Sequence, residues 1–385
     1  MHDPIAELLA AHFPAESRKT LPSMESVAMD MAGLRRLVRE GCYHAALELT
    51  GRFLSAHGQG LGQAGQPSLH THKTLQMWGA RLALLVVMQQ FREAEVEMEA
   101  FGELVNPDLF YQYHTHNYPD KTGSMVPFSM RLLHAQLPVL TGNHQLSLDR
   151  LCQLQHTCHQ VLSEVRRGYL PFVTEPLTPE DQQVAETLWM ERLTRVKFCL
   201  ANTLVAMQDY LLAVEVYEGL LEELPGLRSQ LLSVMGRLHL TLGDLPSAQT
   251  LFSLAEDRDE KEEGEEERMV RTHINQGLVN VFLCHWQLAK DSFESALQLE
   301  PTNTTLKNNI AVCTFYQGYL KECIRELEGV VRWSPPSSLQ PALLTNLTAT
   351  YDLESSSAHS KKLSFLPLLG QHVGEGFPLS SLGLR

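Results

Sequence analysis

Positive charge is scarce in this sequence: 31 lysines and arginines stand against 45 aspartates and glutamates, a formal net charge of −14 with histidine neutral. No run of basic side chains offsets that surplus. An acidic surface repels phosphate backbones, so nucleic acid is not an expected partner. Long hydrophobic runs are also missing. The most apolar stretch, Leu82–Met88, is far shorter than the roughly 20 residues that span a bilayer, so direct membrane insertion is not expected. No charged start leads into an apolar segment, and no secretory leader is read there. The 7 cysteines (Cys42, Cys152, Cys158, Cys199, Cys284, Cys313, Cys323) are scattered and form no C-x-x-C, a pattern that fits reduced thiols in the cytosol. Enzyme signatures are lacking too: there is no G-x-x-x-x-G-K-[ST], H-E-x-x-H or G-x-S-x-G. The expectation is therefore no catalytic residue, no cofactor and no small-molecule substrate.

What is present is a globular composition, 44% hydrophobic and 20% charged, with internal repetition. Aligning QLAKDSFESALQLEP (287–301) with YLKECIRELEGVVRWSP (319–335) places Ala289, Phe293, Ala296 and Pro301 opposite Cys323, Leu327, Val330 and Pro335. Each pair is one tetratricopeptide (TPR) period apart, ~34 residues. Small, large, then small again at i, i+4 and i+7 makes one helix face that lets a partner helix approach closely. The proline then closes the unit. Upstream, Ala213, Tyr217, Leu220 and Pro225 repeat the frame. Ala248, Phe252 and Ala255 do so again, with Gly236 at the small position and Gly243 at the turn. Strand-like alternation is absent. The pattern predicts an all-α fold, an α-solenoid of TPR helix pairs.

The chain divides accordingly. Residues 1–26 are an N-terminal segment. Residues 27–105 carry degenerate TPR-like helices, with Gly41, Tyr43 and Ala46 in one register, Trp78, Phe91 and Ala94 in another, and a Gly-rich loop at 55–68. An aromatic-rich insertion fills 106–127. Residues 128–193 hold a further degenerate repeat (Gly142, Ser147, Leu151) and a long helix that starts at the capping sequence Thr178-Pro179-Glu180-Asp181. Four clear repeats span 194–335, interrupted by the acidic loop EDRDEKEEGEEER at 256–268. Capping helices occupy 336–372, and 373–385 are expected to be a flexible tail.

Several stretches invite a site assignment. GLGQAG (60–65) matches the dinucleotide spacing G-x-G-x-x-G, but that motif needs a strand before it and a helix directly after. Here HAALELTGRFLSAH precedes and a proline-broken polar segment follows, so a loop between helices is expected. Cys152, His156 and His159 share a helical face that could offer metal ligands; a fourth ligand is not specified, and packing and solvent explain them. In the insertion, Phe110, Tyr111, Tyr113 and Tyr118 either pin the loop or face a partner, with pinning favoured.

First helices of TPR pairs line the groove through positions 2, 5, 9, 12 and 13. Numbered from Thr194, Ser229, Val270 and Thr304, those positions include Arg195, Asn202, Arg237 and Arg271, then Ile274, Leu278, Phe282, Val312, Phe315 and Tyr316. The lysine-and-asparagine clamp with which chaperone-binding TPR proteins hold a C-terminal carboxylate is incomplete, since Phe198, Ser233, Ile274 and Asn308 fill position 5. The apolar run suits a protein segment, either from a partner or from the chain's own final helices.

Longer stretches carry a family likeness. GSMVPFSMRLLHAQLPVLTGNHQLSLDRL (123–151), NPDLFYQYH (106–114), AALELTGRFLSAHGQGLG (45–62), MQDYLLAVEVY (207–217) and NNIAVCTFYQGYLKECIRELE (308–328) resemble the TPR half of the subunit 12 family of the trafficking protein particle (TRAPP) complex. Family members also have a long acidic N-terminal region, which this sequence lacks, and the ending GEGFPLSSLGLR departs from the family pattern. The resemblance implies a non-catalytic scaffold subunit of TRAPP III, which promotes Rab nucleotide exchange in ER-to-Golgi transport and autophagy. It further implies other large TRAPP subunits as partners, and a cytoplasmic place at ER–Golgi intermediate or Golgi membranes. The alternative is a TPR adaptor for an unrelated partner such as a chaperone or motor.

Overall fold

A computed structural model describes residues 4–14, 22–60, 69–171, 176–256, 264–333, 338–354 and 357–384. The chain forms two compact units, Leu21–Leu220 and Met1–Thr20 together with Leu221–Arg385. After α1 (Pro4–His12), which belongs to the second unit, the central unit runs through α2 (Met31–Arg39), α3 (Tyr43–Ala56), α4 (His72–Val87), α5 (Phe91–Glu99), α6 (Phe128–Leu140), α7 (His144–Arg166), α8 (Pro179–Ala206) and α9 (Tyr210–Glu223). The flanking unit continues with α10 (Arg228–Leu242), α11 (Leu245–Ala255), α12 (Glu265–Phe282), α13 (Trp286–Leu299), α14 (Thr304–Tyr316) and α15 (Leu320–Trp333). It closes with α16 (Pro341–Glu354), α17 (Ala358–Leu363) and α18 (Leu366–His372). No strand occurs among the described residues beyond one isolated bridge, Phe110 to Ser124. Both units are all-α stacks of helix pairs, the TPR solenoid arrangement.

Short polar side chains start the helices where the sequence places them. Thr178 Oγ accepts from the Asp181 amide at 3.2 Å, with Pro179 in the first turn of α8. Asp244 and Asn303 cap α11 and α14 in the same way. Such a cap satisfies an amide that has no partner within its helix, worth about 1 kcal/mol.

One register runs through every pair. The turn between the two helices holds a residue in the left-handed region: Gly41, Gln89, Gly142 and Gln208 in the central unit, then Gly243, Cys284 and Gly318. Five residues later comes a buried small side chain: Ala46, Ala94, Ser147, Ala213, Ala248, Ala289 and Cys323. Four further on stands Thr50, Met98, Leu151, Tyr217, Phe252, Phe293 or Leu327, buried in each case. Opposite, seven residues before the turn residue, the first helices present Leu34, Leu82, Ala135, Ala201, Gly236, Gly277 and Ala311. In the flanking unit the two sides match in volume, small against large. A methyl placed on Gly277 would lie 2.5 Å from the Phe293 ring, and Gly236 is closed off likewise by Phe252. Interiors packed near crystal density leave no room for that atom.

The expected closing elements are modified. Pro225 opens a 3-10 turn ahead of α10, and Pro335 lies outside the described residues. So do Leu61–Ser68 of the Gly-rich loop and residues 257–263 of the acidic loop; Glu265, Glu266 and Glu267 already belong to the first turn of α12, where their charge suits the helix dipole. The tail expected to be flexible is docked. Leu379–Leu382 form a 3-10 turn, Leu382 is 0% exposed, and the Thr348 hydroxyl donates to the Ser381 carbonyl at 3.2 Å. Leu382 finds an apolar site among Leu343, Leu347 and Leu366, which outweighs the glycines and serines around it. The N-terminal segment contributes too: Ile5 and Leu9 of α1 are buried in this same cluster, packed against α18.

Candidate protein-docking surfaces

Within the central unit, Arg195 and Asn202 project from α8 as exposed side chains, while Phe198 packs its ring near Tyr217, 6.3 Å between centroids. The aromatic insertion is pinned rather than presented. Leu109, Met125 and Val126 are buried, and the Tyr111 and Tyr118 rings meet edge-on at 5.0 Å with the Lys121 ammonium 5.8 Å from each. Arg131 donates to Ser124 Oγ at 2.7 Å and to the Leu104 carbonyl at 3.3 Å. Of the four rings only Tyr113 stands in solvent.

In the flanking unit the predicted groove residues separate into three groups. Arg271 is buried, donating to the Ala255 carbonyl at 3.2 Å, and is therefore a structural tie between α11 and α12 rather than a groove cation. Arg237 is exposed on α10. The inner polar positions pair between neighbouring first helices, Asn275 Nδ2 with Ser233 Oγ and Asn346 Nδ2 with Asn308 Oδ1, both at 2.9 Å. Ile274 and Leu278 are half-buried against Val270, Phe293 and Ile310, and Val312 is half-buried on α14. Phe315 packs onto the core shared with α16 and α18, so the chain's own final helices cover that part of the run.

Phe282 and Tyr316 remain outside these cores, 40% and 57% exposed, at the C-terminal ends of two successive first helices. Tyr316 lies parallel on Trp286, 4.4 Å between centroids and 10° between planes. Leu283, Leu288 and Tyr319 add exposed apolar area at the same inter-helix turns. Gln287 and Gln317 join across the stack at 3.0 Å, so the edge is aromatic, uncharged and held in place. Trp286, Leu283 and Tyr319 are functional candidates that sequence reasoning missed. Leu283 and Tyr319 sit in turns and Trp286 opens α13, all outside the groove positions of a TPR frame, and only their apolar character could have flagged them.

The other candidates do not assemble. Cys152, His156 and His159 are exposed on α7, while Cys158 is buried with its thiol pushed up to about 11 by burial. Among the described residues no three His, Cys, Asp or Glu side chains converge to hold a metal. Gly60 follows α3 and the next element is α4, so a helix stands where a dinucleotide fingerprint needs a strand.

Helix pairs that repeat with a left-handed turn residue and a small residue facing a large one define a tetratricopeptide-repeat protein. No protein-family model matches the chain. Curated proteins resemble it over nearly its whole length. The chain is similar to trafficking protein particle complex subunit 12, being 39% identical to the mouse protein over 371 residues and 38% identical to the human one. Those matches cover 96% of this chain but 46% and 50% of the relatives, so the chain spans about half the length of the curated proteins it matches. A solved tetratricopeptide-repeat protein from Parabacteroides merdae covers 88% of this chain and 97% of its own at 11% identity and a TM-score of 0.32. At that distance the helix-pair geometry carries the fold assignment.

Proposed function

We propose that the chain is a non-catalytic TPR scaffold in a TRAPP-type vesicle-trafficking complex. The single observation that carries the reading is the 39% identity to subunit 12 across 96% of the chain, which is far more of it than the TPR signature positions occupy. The absence of catalytic motifs in the sequence agrees with it. The other large subunits of the complex are its partners, and it works on the cytoplasmic side of ER–Golgi intermediate and Golgi membranes, in ER-to-Golgi transport and autophagy. It reaches those membranes through the complex; among the described residues no helix is long and apolar enough to cross a membrane. The edge formed by Phe282, Trp286 and Tyr316 takes an apolar segment of a partner subunit, with the exposed Arg237 of the same unit as an accessory polar contact; Arg195 and Asn202 are a separate exposed polar surface of the central unit. The chaperone-adaptor alternative loses Arg271, which is buried.

Affinity purification of the tagged chain from cells, with quantitative mass spectrometry, tests this. TRAPP subunits recovered in near-equal amounts support the reading; a preparation that holds chaperones or motors and no TRAPP subunit rules it out.

A further inference from the structure

A cavity of about 230 Å3 lies in the central unit, where α5, the turn after it, α6 and α7 meet. Its charge is one-sided. Glu95, Glu99 and Glu103 recur at i, i+4 and i+8 along one side, and the cation among the lining residues is Arg150. Arg150 is already engaged: its guanidinium grips Glu103 at 2.7 and 3.2 Å and donates to the His134 carbonyl at 3.3 Å. Glu95 accepts only the Thr141 hydroxyl, at 3.2 Å, and Glu99 has no cation beside it among the described residues. The floor is apolar, with Met98 and Leu137 buried.

A second observation concerns His134, which also lines the cavity. It is 6% exposed, its ring makes no hydrogen bond to a described residue, and Nε2 is 4.0 Å from the Glu103 carboxylate. Burial and the neighbouring Arg150 hold its pKa down at about 4, so the ring is neutral at pH 7 and offers a lone pair rather than a charge. Unpaired carboxylates, a neutral imidazole acceptor and an apolar floor together ask for a cation with several donors on an apolar stem. Arginine has that form, since its planar fork can serve several acceptors at once while its methylenes cover apolar surface. The volume lies below the ~300–1,000 Å3 of ordinary small-molecule pockets and suits one side chain.

We propose that this cavity receives an arginine side chain of a partner protein, the guanidinium between Glu95, Glu99 and the His134 ring and the stem on Met98 and Leu137. The site is separate from the aromatic edge of the flanking unit and does not depend on the identity of the complex.

The probe is the blocked peptide acetyl-Gly-Arg-Gly-amide, compared with its citrulline counterpart, which keeps the shape and loses the charge. Binding is followed through the ring signals of His134 by nuclear magnetic resonance. The arginine peptide is expected to shift those signals saturably and the citrulline peptide to leave them in place. In the Glu95→Gln, Glu99→Gln variant the arginine peptide should bind about tenfold more weakly. No saturable shift at millimolar peptide, or equal shifts by the two peptides, overturns the proposal. Tighter binding of spermidine than of the arginine peptide overturns it as well, because the site would then serve a free polyamine.

Discussion

The two units close their helix pairs by different means. In the flanking unit the large residue sits on the second helix and the first helix withdraws to make room: Gly236 for Phe252, Gly277 for Phe293, Ala311 for Leu327. In the first pair of the central unit the volumes are exchanged. Leu34 occupies the first-helix position and Thr50 the second, while in the next pair Leu82 and Met98 are both large. Polar ties then supplement the packing. Arg81 of α4 makes two 2.7 Å hydrogen bonds to Glu97 of α5 and donates to the Leu47 carbonyl of α3 at 3.0 Å. Arg150 of α7 joins Glu103 and α6 in the same manner. The same backbone geometry, a left-handed turn followed by a buried small residue, survives both solutions. What these pairs share is therefore the backbone register, and the residues at the crossing can change so long as the packing around them adapts.

The sharpest way to break that contrast is at Phe293, 1% exposed. Phe293→Ala is expected to cost about 4 kcal/mol in urea denaturation. Gly277→Ala should cost about 2 kcal/mol through overpacking, despite alanine's better helix propensity. Combining Gly277→Ala with Phe293→Leu recreates the Ala311 and Leu327 pairing, and the double variant should be more stable than the sum of its parts by about 1 kcal/mol. Strict additivity would show that the two positions do not share a volume.

The polar solution predicts a different weakness. Arg81→Ala leaves Glu97 without its donor and removes one of the donors to the Leu47 carbonyl, which keeps the Thr50 hydroxyl at 2.7 Å, and a loss of about 2 kcal/mol is expected. An unchanged denaturation midpoint would mean that apolar packing alone closes the α4–α5 pair.

Acid distinguishes the units further. His134 has a folded-state pKa of about 4, below its ordinary value, because of burial first and then the charges of Arg150 and Arg131; Glu103 opposes the shift. The unfolded chain therefore binds a proton between about pH 6.5 and 4 that the folded chain refuses. The stability linked to this group is fully present above about pH 6.5 and is lost as the pH falls towards 4, on the order of 3 kcal/mol. His134→Gln should flatten this slope in denaturation curves taken at pH 7 and pH 5. A slope identical to that of the parent protein would remove His134 from the account.

The smallest expected effect is a gain. Cys284 is exposed and holds φ at 59°, where Gly243 and Gly318 stand in the neighbouring repeats. Cys284→Gly should raise stability by about 1 kcal/mol by relieving a left-handed conformation, measured by thermal melting. A drop would mean that the thiol makes a contribution beyond its backbone.

This contrast explains what the sequence disclosed. Ala289, Phe293 and their counterparts were legible because the flanking unit keeps the large residue on the second helix, where a fixed spacing finds it. Thr50 and Met98 hid the same register, since neither residue signals a crossing and the facing Leu34 and Leu82 lie in the preceding helix. The turn residues Gln89, Gln208 and Cys284 were illegible for a related reason: their left-handed backbone is imposed by the packed pair, against their own preference. The docked tail and α1 escaped because their apolar side chains, Ile5, Leu8 and Leu9 in α1 and Phe377, Leu379 and Leu382 in the tail, are short clusters whose burial depends on a surface built from α16 and α18. At the candidate site, the frame marked Phe282 and Tyr316, whose side chains are exposed, and Arg271, whose side chain is buried. A spacing says which way a side chain starts, and the nearest free carbonyl, here that of Ala255, decides where it ends.

The central claim, a scaffold that holds its partners through the aromatic edge of the flanking unit, is tested most directly with a Phe282→Asp, Tyr316→Asp variant. TRAPP subunits co-purified with the parent chain and with this variant are quantified beside their melting temperatures. Near-equal recovery of subunits by the parent, and their loss from a variant that melts at the same temperature, is the predicted result. A variant that keeps its subunits, or a parent chain that holds none, would contradict the account.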